Sequence, residues 1–352
     1  MSGHTMAIAS AMGEFLRAHG HWDQATALHQ IALAAARQAG DRHGQALAHR
    51  HLGIVAWLSS NYPPAAASLA ESAAIYRDLG DQSGQAYALD HLGVVQQMTG
   101  DYPASTATRL QALALARSAG DQFAEAATLS HLGELQLQTG DYPAATVSLQ
   151  QALDLFRRRG PRQGEAETLA NLGVLQRRTG NYPAAIASLQ QGLAISREIG
   201  HLAYQARVHD ELGVVYQLTG DYPAAEANHQ QALQLYQDLG QRLGQARALN
   251  NLGQLATRTS ATHQARRHHD QALAFARDIG VPILEARALE GIGRAYLDDG
   301  NPGQAAPYLN EALTIYQRIG ASSARRVQED LHRHGLTPTA PSHHSSQSPD
   351  RA

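Results

Sequence analysis

The sequence predicts an all-α protein built from a repeated pair of helices. A stretch that reads LGVLQRRTGNYPAA from Leu172 recurs with small changes at Leu92, Leu132 and Leu212, so that each copy starts 40 residues after the last. A fixed period of roughly 20–50 residues indicates a solenoid, a propeller or another array. Ala, Leu and Gln dominate the composition and all form helices well. We therefore expect an α-solenoid with one continuous core.

Each 40-residue unit contains two helical patterns, as its fifth copy shows. Apolar or small residues recur at spacings of three and four between Glu165 and Arg178, which predicts a first helix, A. We expect Gly180 to end helix A in the left-handed conformation. A second helix, B, is predicted from about Pro183 to Glu198, because proline is tolerated in a first helical turn. Gly200 then closes the unit.

We expect eight units over residues 1–320, a capping helix over 321–335 and a disordered tail over 336–352. The first unit is degenerate, with Met12 and Gly13 in place of Leu–Gly, as is typical of terminal repeats. The tail is rich in Pro and Ser and has too few apolar residues to build a core. The units close at a recurring glycine: Gly40, Gly80, Gly120, Gly160, Gly200, Gly240, Gly280 and Gly320.

A second glycine recurs in the middle of each predicted A helix. These glycines are Gly53, Gly93, Gly133, Gly173, Gly213, Gly253 and Gly293. Each should destabilise its helix by about 1 kcal/mol relative to Ala. Because that cost is repeated in seven helices, we predict that helices A and B of each unit approach each other closely at this point.

Composition excludes several classes of function. The net charge of −3 gives no strong field for nucleic acid or an anionic membrane, and we expect contact with neither. All 28 basic residues are Arg, so a P-loop lysine or a Schiff base is excluded. The chain has no Cys, which excludes disulfides and thiolate metal sites. No signal peptide or apolar stretch of about 20 residues is present, so we expect a soluble cytoplasmic protein.

The repeat resembles the tetratricopeptide repeat. In the copy at 132–152 the residues that carry the resemblance are Leu132, Gly133, Gly140, Tyr142, Ala145, Leu149 and Ala152. The usual unit has about 34 residues, and the 40-residue form is similar to LGN/Pins scaffolds and to the C-terminal arrays of actinobacterial AfsR-type regulators. The resemblance implies a right-handed superhelix whose A helices line a concave face.

Mapping the inward-facing positions of that family onto this chain predicts a partner-binding groove. The predicted lining is Leu47, Trp57, Tyr87, Asp90, His91, Gln97, His131, Asn171, Arg177, Arg207, Asp210, Gln217, Arg247, Asn250, Asn251, Arg258 and Arg287. Its front half is apolar to neutral, and its back half is rich in Arg. Such a groove suits an extended or helical peptide with an apolar anchor and a carboxylate-bearing end. The alternative is that these residues are simply solvated helix faces.

The position just before each Leu–Gly is of special interest. In kinesin light chain and LGN-like arrays an Asn here hydrogen-bonds the backbone of a bound peptide, and Asn171 and Asn251 match that pattern. His51, His91 and His131 depart from it. Packed helices lie about 8–10 Å apart, whereas Zn–N bonds are about 2.0–2.1 Å. The three histidines therefore cannot share one metal ion, and we expect no metal or cofactor.

No nucleophile–base or metal-ligand constellation indicates an enzyme. The recurring acids follow glycine at predicted helix starts, where we expect them to cap backbone N–H groups rather than act in acid–base catalysis. They are Asp81, Asp101, Asp121, Asp141 and Asp221. The sequence thus predicts a non-enzymatic interaction scaffold, and the resemblance implies a regulatory ATPase or DNA-binding protein as partner. The alternative is a sensor whose superhelix changes shape when a peptide binds. The partner's identity and the oligomeric state stay open.

Overall fold

A computed structural model describes residues 22–336 and places sixteen α-helices and no β-strand in them. The all-α prediction is thereby confirmed for that part of the chain. The helices form two compact parts, with the boundary after Asn181. From here on we call these parts the first and second unit, and we call each 40-residue pair of helices a repeat. The predicted A helix around Met12 and nearly all of the predicted tail lie outside the described residues.

The first unit contains eight of these helices. They are α1 (Trp22–Gln38), α2 (Arg42–Leu58), α3 (Tyr62–Asp78), α4 (Gln82–Met98), α5 (Tyr102–Ala119), α6 (Gln122–Thr139), α7 (Tyr142–Arg159) and α8 (Arg162–Arg178). Even-numbered helices are A helices and odd-numbered ones are B helices of the 40-residue repeat. Helices α2, α4 and α6 each pack on the following B helix and also contact the next A helix, so α2, α4, α6 and α8 form one layer.

The second unit contains the other eight helices. They are α9 (Tyr182–Glu198), α10 (Leu202–Thr219), α11 (Tyr222–Asp238), α12 (Arg242–Arg258), α13 (Thr262–Asp278), α14 (Pro282–Asp298), α15 (Pro302–Arg318) and α16 (Ser323–Arg333). The A helices α10, α12 and α14 again form a layer. Helix α16 stands where a ninth A helix would begin and buries Val327 and Leu331 against the last hairpin. No helix of the described residues is long and apolar enough to cross a bilayer.

Helix ends follow the repeated sequence, with one exception. The carboxylates of Asp81, Asp101, Asp121, Asp141 and Asp221 each accept a backbone N–H bond of 2.8–3.1 Å from the first turn of the next helix. The predicted capping role is confirmed, because these oxygens satisfy donors that the helix leaves open.

The exception is the closing glycine Gly160. The other closing glycines of the described residues are left-handed, for example Gly120 at φ 68°, whereas Gly160 has φ −82° and ψ 165°. Gly180 ends its A helix in the predicted left-handed conformation at φ 82°, whereas Gly160 closes its repeat with extended backbone. Pro161 explains the difference, because a residue before proline is pushed towards extended backbone. Proline also lacks the N–H that bonds back to the helix in the other turns, as Asp121 does to Ala116.

The mid-helix glycines are the points where A and B helices approach closely. An added Cβ would come within 2.5–2.7 Å of a B-helix side chain at six of them. We call these B-helix side chains the seat residues. The pairs are Gly53 with Leu69, Gly93 with Arg109, Gly133 with Leu149, Gly213 with His229, Gly253 with His269, and Gly293 with Leu309. The close packing predicted from the repeated glycine is thus observed at these six hairpins.

Candidate partner-binding grooves

The first groove lies over the A-helix layer of the first unit and has a volume of about 620 Å³. Its lining comes from α2, α4, α6, α7 and α8. An aromatic row forms part of it: the Tyr87 and Phe123 rings lie 5.9 Å apart, and the Phe123 and Phe156 rings lie 6.2 Å apart. Phe123 is 44% exposed, which leaves apolar surface open to a partner. The guanidinium of Arg50 lies 5.4 Å from the centre of the Tyr87 ring, within cation–π range.

Beneath this groove a buried carboxylate is shared by two basic groups. Asp90 is 3% exposed, and its Oδ2 accepts a 2.8 Å hydrogen bond from Nδ1 of His131 on the next A helix. Its Oδ1 lies 3.9 Å from Nε of Arg109, the seat residue of α5. Arg109, only 1% exposed, also donates to Oε1 of Gln97 at 2.6 Å and to the carbonyl of His131 at 3.1 Å. We call this set the Asp90 node.

Electrostatics keep the Asp90 node charged. Burial tends to raise the pKa of Asp90, but the charge and hydrogen bond of His131, with Arg109 nearby, lower it below its usual value. Burial likewise opposes the charged form of His131, yet Asp90 outweighs it and raises the pKa of His131 to about 8. The neighbouring His91 differs, because burial lowers its pKa. At neutral pH the node thus contains one carboxylate and two cations.

The second groove lies over the A-helix layer of the second unit and has a volume of about 530 Å³. Asn251 and Arg258 of α12, Arg287 and Arg294 of α14, and Arg326 of α16 contribute its polar lining. Two of the arginines hold internal carboxylates. Arg326 binds Glu290 with two hydrogen bonds of 3.0 and 2.8 Å, and Arg294 binds Asp330 at 2.6 and 3.1 Å. These pairs fasten α16 to α14.

An equivalent of the Asp90 node lies in the second unit. Asp210, 1% exposed, accepts a 2.8 Å bond from the Asn251 side chain and lies 3.2 Å from Nδ1 of the seat residue His229. Arg247 reaches its other oxygen at 3.4 Å. Burial tends to raise the pKa of Asp210, but the contacts with His229 and Arg247 lower it. Arg287 in turn donates to Asn251 Oδ1 at 3.5 Å, so a chain of contacts crosses α10, α12 and α14.

Arg287 is a partly buried arginine of the second groove that forms no direct ion pair among the described residues. Burial, together with the nearby Arg247, lowers the pKa of its guanidinium more than Tyr316, Asp210 and Glu290 raise it, and the group remains charged. No carboxylate of the described residues forms an ion pair with it, and its one direct contact here is the long bond to Asn251. A partly buried cation of this kind is stabilised when an anion binds beside it.

The structure brings eight predicted residues to the two grooves. Tyr87, Asp90, His91 and His131 line the first, and Gln217, Asn251, Arg258 and Arg287 line the second. Of the others, Trp57 packs against Leu69 and Val95, and Asp210 and Arg247 lie beneath the second groove. Leu47, Asn171, Arg177 and Arg207 line neither groove, and Asn171 is buried.

Two predicted groove residues need correction. Gln97 and Asn250 line neither groove, and they are 5% and 0% exposed. Their amides serve the interior instead, because Gln97 accepts from Arg109 and Asn250 lies 3.1 Å from Nδ1 of the seat residue His269. The Asn ladder also takes an unexpected form, since Asn251 already binds Asp210 and Arg287. No group of three metal-ligating side chains is arranged for a metal ion within residues 22–336.

The sequence reasoning missed the polar seat residues Arg109, His229 and His269, which are 0–1% exposed. Each replaces the Leu found at Leu69, Leu149 and Leu309, and each faces an acid or amide 19 residues earlier, namely Asp90, Asp210 and Asn250. Aligning the repeats would have revealed this paired exchange. Phe123 was also missed, because it lies in the first turn of its helix, outside the family's inward-facing positions.

Comparison with known proteins identifies the family. A tetratricopeptide repeat model matches residues 4–78, 84–158, 148–198 and 204–278, and a second model of this repeat matches 286–318. No curated protein matches the chain. The matched segments together cover well over half of the sequence.

Three solved structures show the same fold at low identity. A Rap protein complexed with competence and sporulation factor is 14% identical, with a TM-score of 0.65 over 95% of this chain and 98% of that one. A signal-transduction ATPase with a tetratricopeptide repeat sensor, from Pyrococcus horikoshii, is 14% identical, with a TM-score of 0.66 over 93% of this chain and 50% of that one. BtubC from P. vanneervenii is 21% identical, with a TM-score of 0.51 over 70% and 97%. This chain belongs to the tetratricopeptide repeat family.

Proposed function

We propose that the chain is a protein-interaction scaffold that binds a peptide or partner segment through the second groove. The tetratricopeptide repeat fold is typically a non-enzymatic interaction scaffold. The observation that carries the proposal is Arg287, a partly buried cation that faces the groove without a carboxylate partner in the described chain. An acidic side chain or a terminal carboxylate of a partner would supply that missing charge.

The regulatory setting belongs to the same proposal. The fold is similar to that of an ATPase with a tetratricopeptide repeat sensor and of a Rap protein complexed with a factor. A role in bacterial signalling or transcriptional regulation, with a regulatory ATPase or DNA-binding protein as partner, agrees with both. The finer similarity to LGN/Pins and AfsR-type arrays stays a prediction.

Panning a phage-displayed random dodecapeptide library against the full chain tests the proposal. We expect enriched acidic peptides whose affinity falls at least tenfold in the double variant Arg258→Glu, Arg287→Gln. Arg318→Glu is the matched control, because Arg318 is exposed on α15 and lines neither groove. The proposal fails if no peptide is enriched, or if the double variant and the control bind equally well.

A peptide-responsive sensor is the second candidate, and the contact chain across α10, α12 and α14 favours it. A ligand carboxylate that draws Arg287 and Asn251 away from their present partners would loosen contacts between successive A helices. Small-angle scattering with an enriched peptide separates the candidates. The sensor predicts a change in radius of gyration at saturation, whereas a scaffold that binds without rearrangement predicts an unchanged radius.

A further inference from the structure

The first groove carries apolar surface that the fold does not use. Phe123 is 44% exposed although it stands between Tyr87 and the buried Phe156. The corresponding positions of the second unit carry no aromatic residue: Leu243 does not line the second groove, and Ile283, which does, is aliphatic. The aromatic row is therefore specific to the first groove and is open to an apolar side chain.

Charged groups lie beside the aromatic row of the first groove. The Asp90 node holds one carboxylate against Arg109 and His131, so with His131 protonated it is positive by one charge. Arg50 adds a second positive charge at the Tyr87 end of the row. Glu167 of α8 lies at the other end of the lining. Glu134 of α6 lies near His131 and offsets one of these charges, so the groups named on α2, α4, α5 and α6 keep one net positive charge to complement an anion.

His91 and His131 differ in the hydrogen-bonding group that each presents to the first groove. His91 Nδ1 lies 2.7 Å from the carbonyl of Tyr87, so this nitrogen must donate and the neutral ring presents Nε2 as an acceptor. His131 donates Nδ1–H to Asp90 and, when protonated, presents Nε2–H as a donor. The His131 side chain is 30% exposed, so a bound group can reach it.

We propose that the first groove is a second, separate binding site for an extended peptide segment that carries an aromatic or aliphatic side chain beside an acidic one. The apolar side chain packs on Phe123, and the carboxylate binds the Nε2–H of His131. The inference rests on the proposed function, because it names the chemistry of a partner segment. It adds a site with an aromatic row and a partly exposed histidine, whereas the histidine in the lining of the second groove, His269, is 0% exposed.

Binding at this site depends on pH through His131. The groups that face this ring are Asp90 and His91 of α4, Arg109 of α5, Glu134 of its own helix and, across the groove, Glu167 of α8. Helix α7 contributes Phe156, which carries no charge. As the pH rises through the His131 pKa of about 8, Nε2 changes from a cationic donor to an acceptor and repels a carboxylate.

The test uses the same dodecapeptide library, panned against the full chain at pH 6.5, followed by anisotropy measurements on synthetic labelled peptides. We expect peptides with Phe, Tyr or Leu beside Asp or Glu that bind about tenfold more weakly at pH 9 than at pH 6.5. Phe123→Ala should weaken binding about tenfold, and Leu243→Ala, the matched control in the second unit, should leave it unchanged. His131→Asn should bind weakly and equally at both pH values.

The outcomes separate this inference from the proposed function. Peptides that depend on Arg258 and Arg287 but not on Phe123 would overturn the inference and leave the proposed function standing. If no peptide binds either groove, both fail. Peptides that need Phe123 but bind His131→Asn with the wild-type pH dependence would contradict the role of His131. Circular dichroism of each variant confirms that loss of binding is not loss of helix.

Discussion

The two units hold a carboxylate at the same position of the repeat but balance it differently. Asp90 of the first unit faces the buried Arg109 and His131, whereas Asp210 of the second faces His229, Asn251 and the partly exposed Arg247. Arginine stays charged at any pH that proteins experience, while histidine can become neutral and asparagine cannot ionise. The first unit therefore buries a fixed positive charge under its groove. The second unit pairs its carboxylate with Arg247, whose side chain is 41% exposed, and carries further arginines on the groove lining.

The largest expected effect comes from removing each carboxylate in turn. Asp90→Asn leaves the buried Arg109 without a counter-charge and should lower the free energy of unfolding by about 3–5 kcal/mol. Asp210→Asn should lower it by only about 1–2 kcal/mol, because the Arg247 side chain is 41% exposed and water can solvate its charge. Urea unfolding followed by circular dichroism measures both. Tryptophan fluorescence adds a local probe, because Trp22 and Trp57 both lie in the first unit. Equal losses would show that the two sites are electrostatically alike.

A smaller effect should distinguish His131 from its counterpart Asn251. The pKa of His131 is raised from 6.5 to about 8 in the folded chain, so its protonation stabilises the fold fully below pH 6.5. That stabilisation falls as the pH rises and is lost above about pH 8. Relative to His131→Asn, the wild type should therefore lose about 1–2 kcal/mol between pH 6 and 9. Thermal unfolding of both proteins across this range is the measurement, and parallel curves would contradict the assigned shift.

The smallest effect concerns a polar seat residue of the second unit. Nε2 of His269 is buried without a hydrogen-bond partner, and burial lowers the pKa of this ring to about 3. The double variant Asn250→Ala, His269→Leu converts the hairpin to the apolar form seen at Leu149 and should raise stability by about 1 kcal/mol. His269→Leu alone should destabilise by about 1–3 kcal/mol, because the Asn250 oxygen loses its partner. Chemical unfolding of the three proteins decides this. A single variant as stable as the double would show that the pair is not coupled.

The fold could be predicted because one signal was repeated many times. Gly133, Gly140 and Tyr142 recur at fixed spacing, so chance resemblance in one copy is corrected by the others. The candidate sites could be predicted only in part, because the groove mapping considered A-helix positions one residue at a time. Whether Asn250 faces a partner or the core depends on His269, which lies on the other helix of the hairpin.

Exceptions to the repeat were the hardest features to predict. Pro161 looked like any residue after a closing glycine, yet it removes one N–H and changes the turn. Phe123 occupies a position at which the other repeats carry small, polar or aliphatic residues, and only the structure shows its ring beside that of Tyr87. Such features depend on what a single copy does differently, which a pattern averaged over copies conceals.

Each polar seat residue occurs together with a matching acid or amide on the A helix of the same hairpin. This pairing limits how a repeat array can evolve. A hairpin whose seat is Leu149 and one whose seat is His269 present the same glycine, but their interiors are not interchangeable helix by helix. Recombination that joins the A helix of one to the B helix of the other would strand an amide or an imidazole in the core. Exchange of whole hairpins keeps those partners together. The smallest segment that can be exchanged without disrupting the core is therefore the hairpin of one A and one B helix. Exchange of such hairpins can change the residues that line a groove.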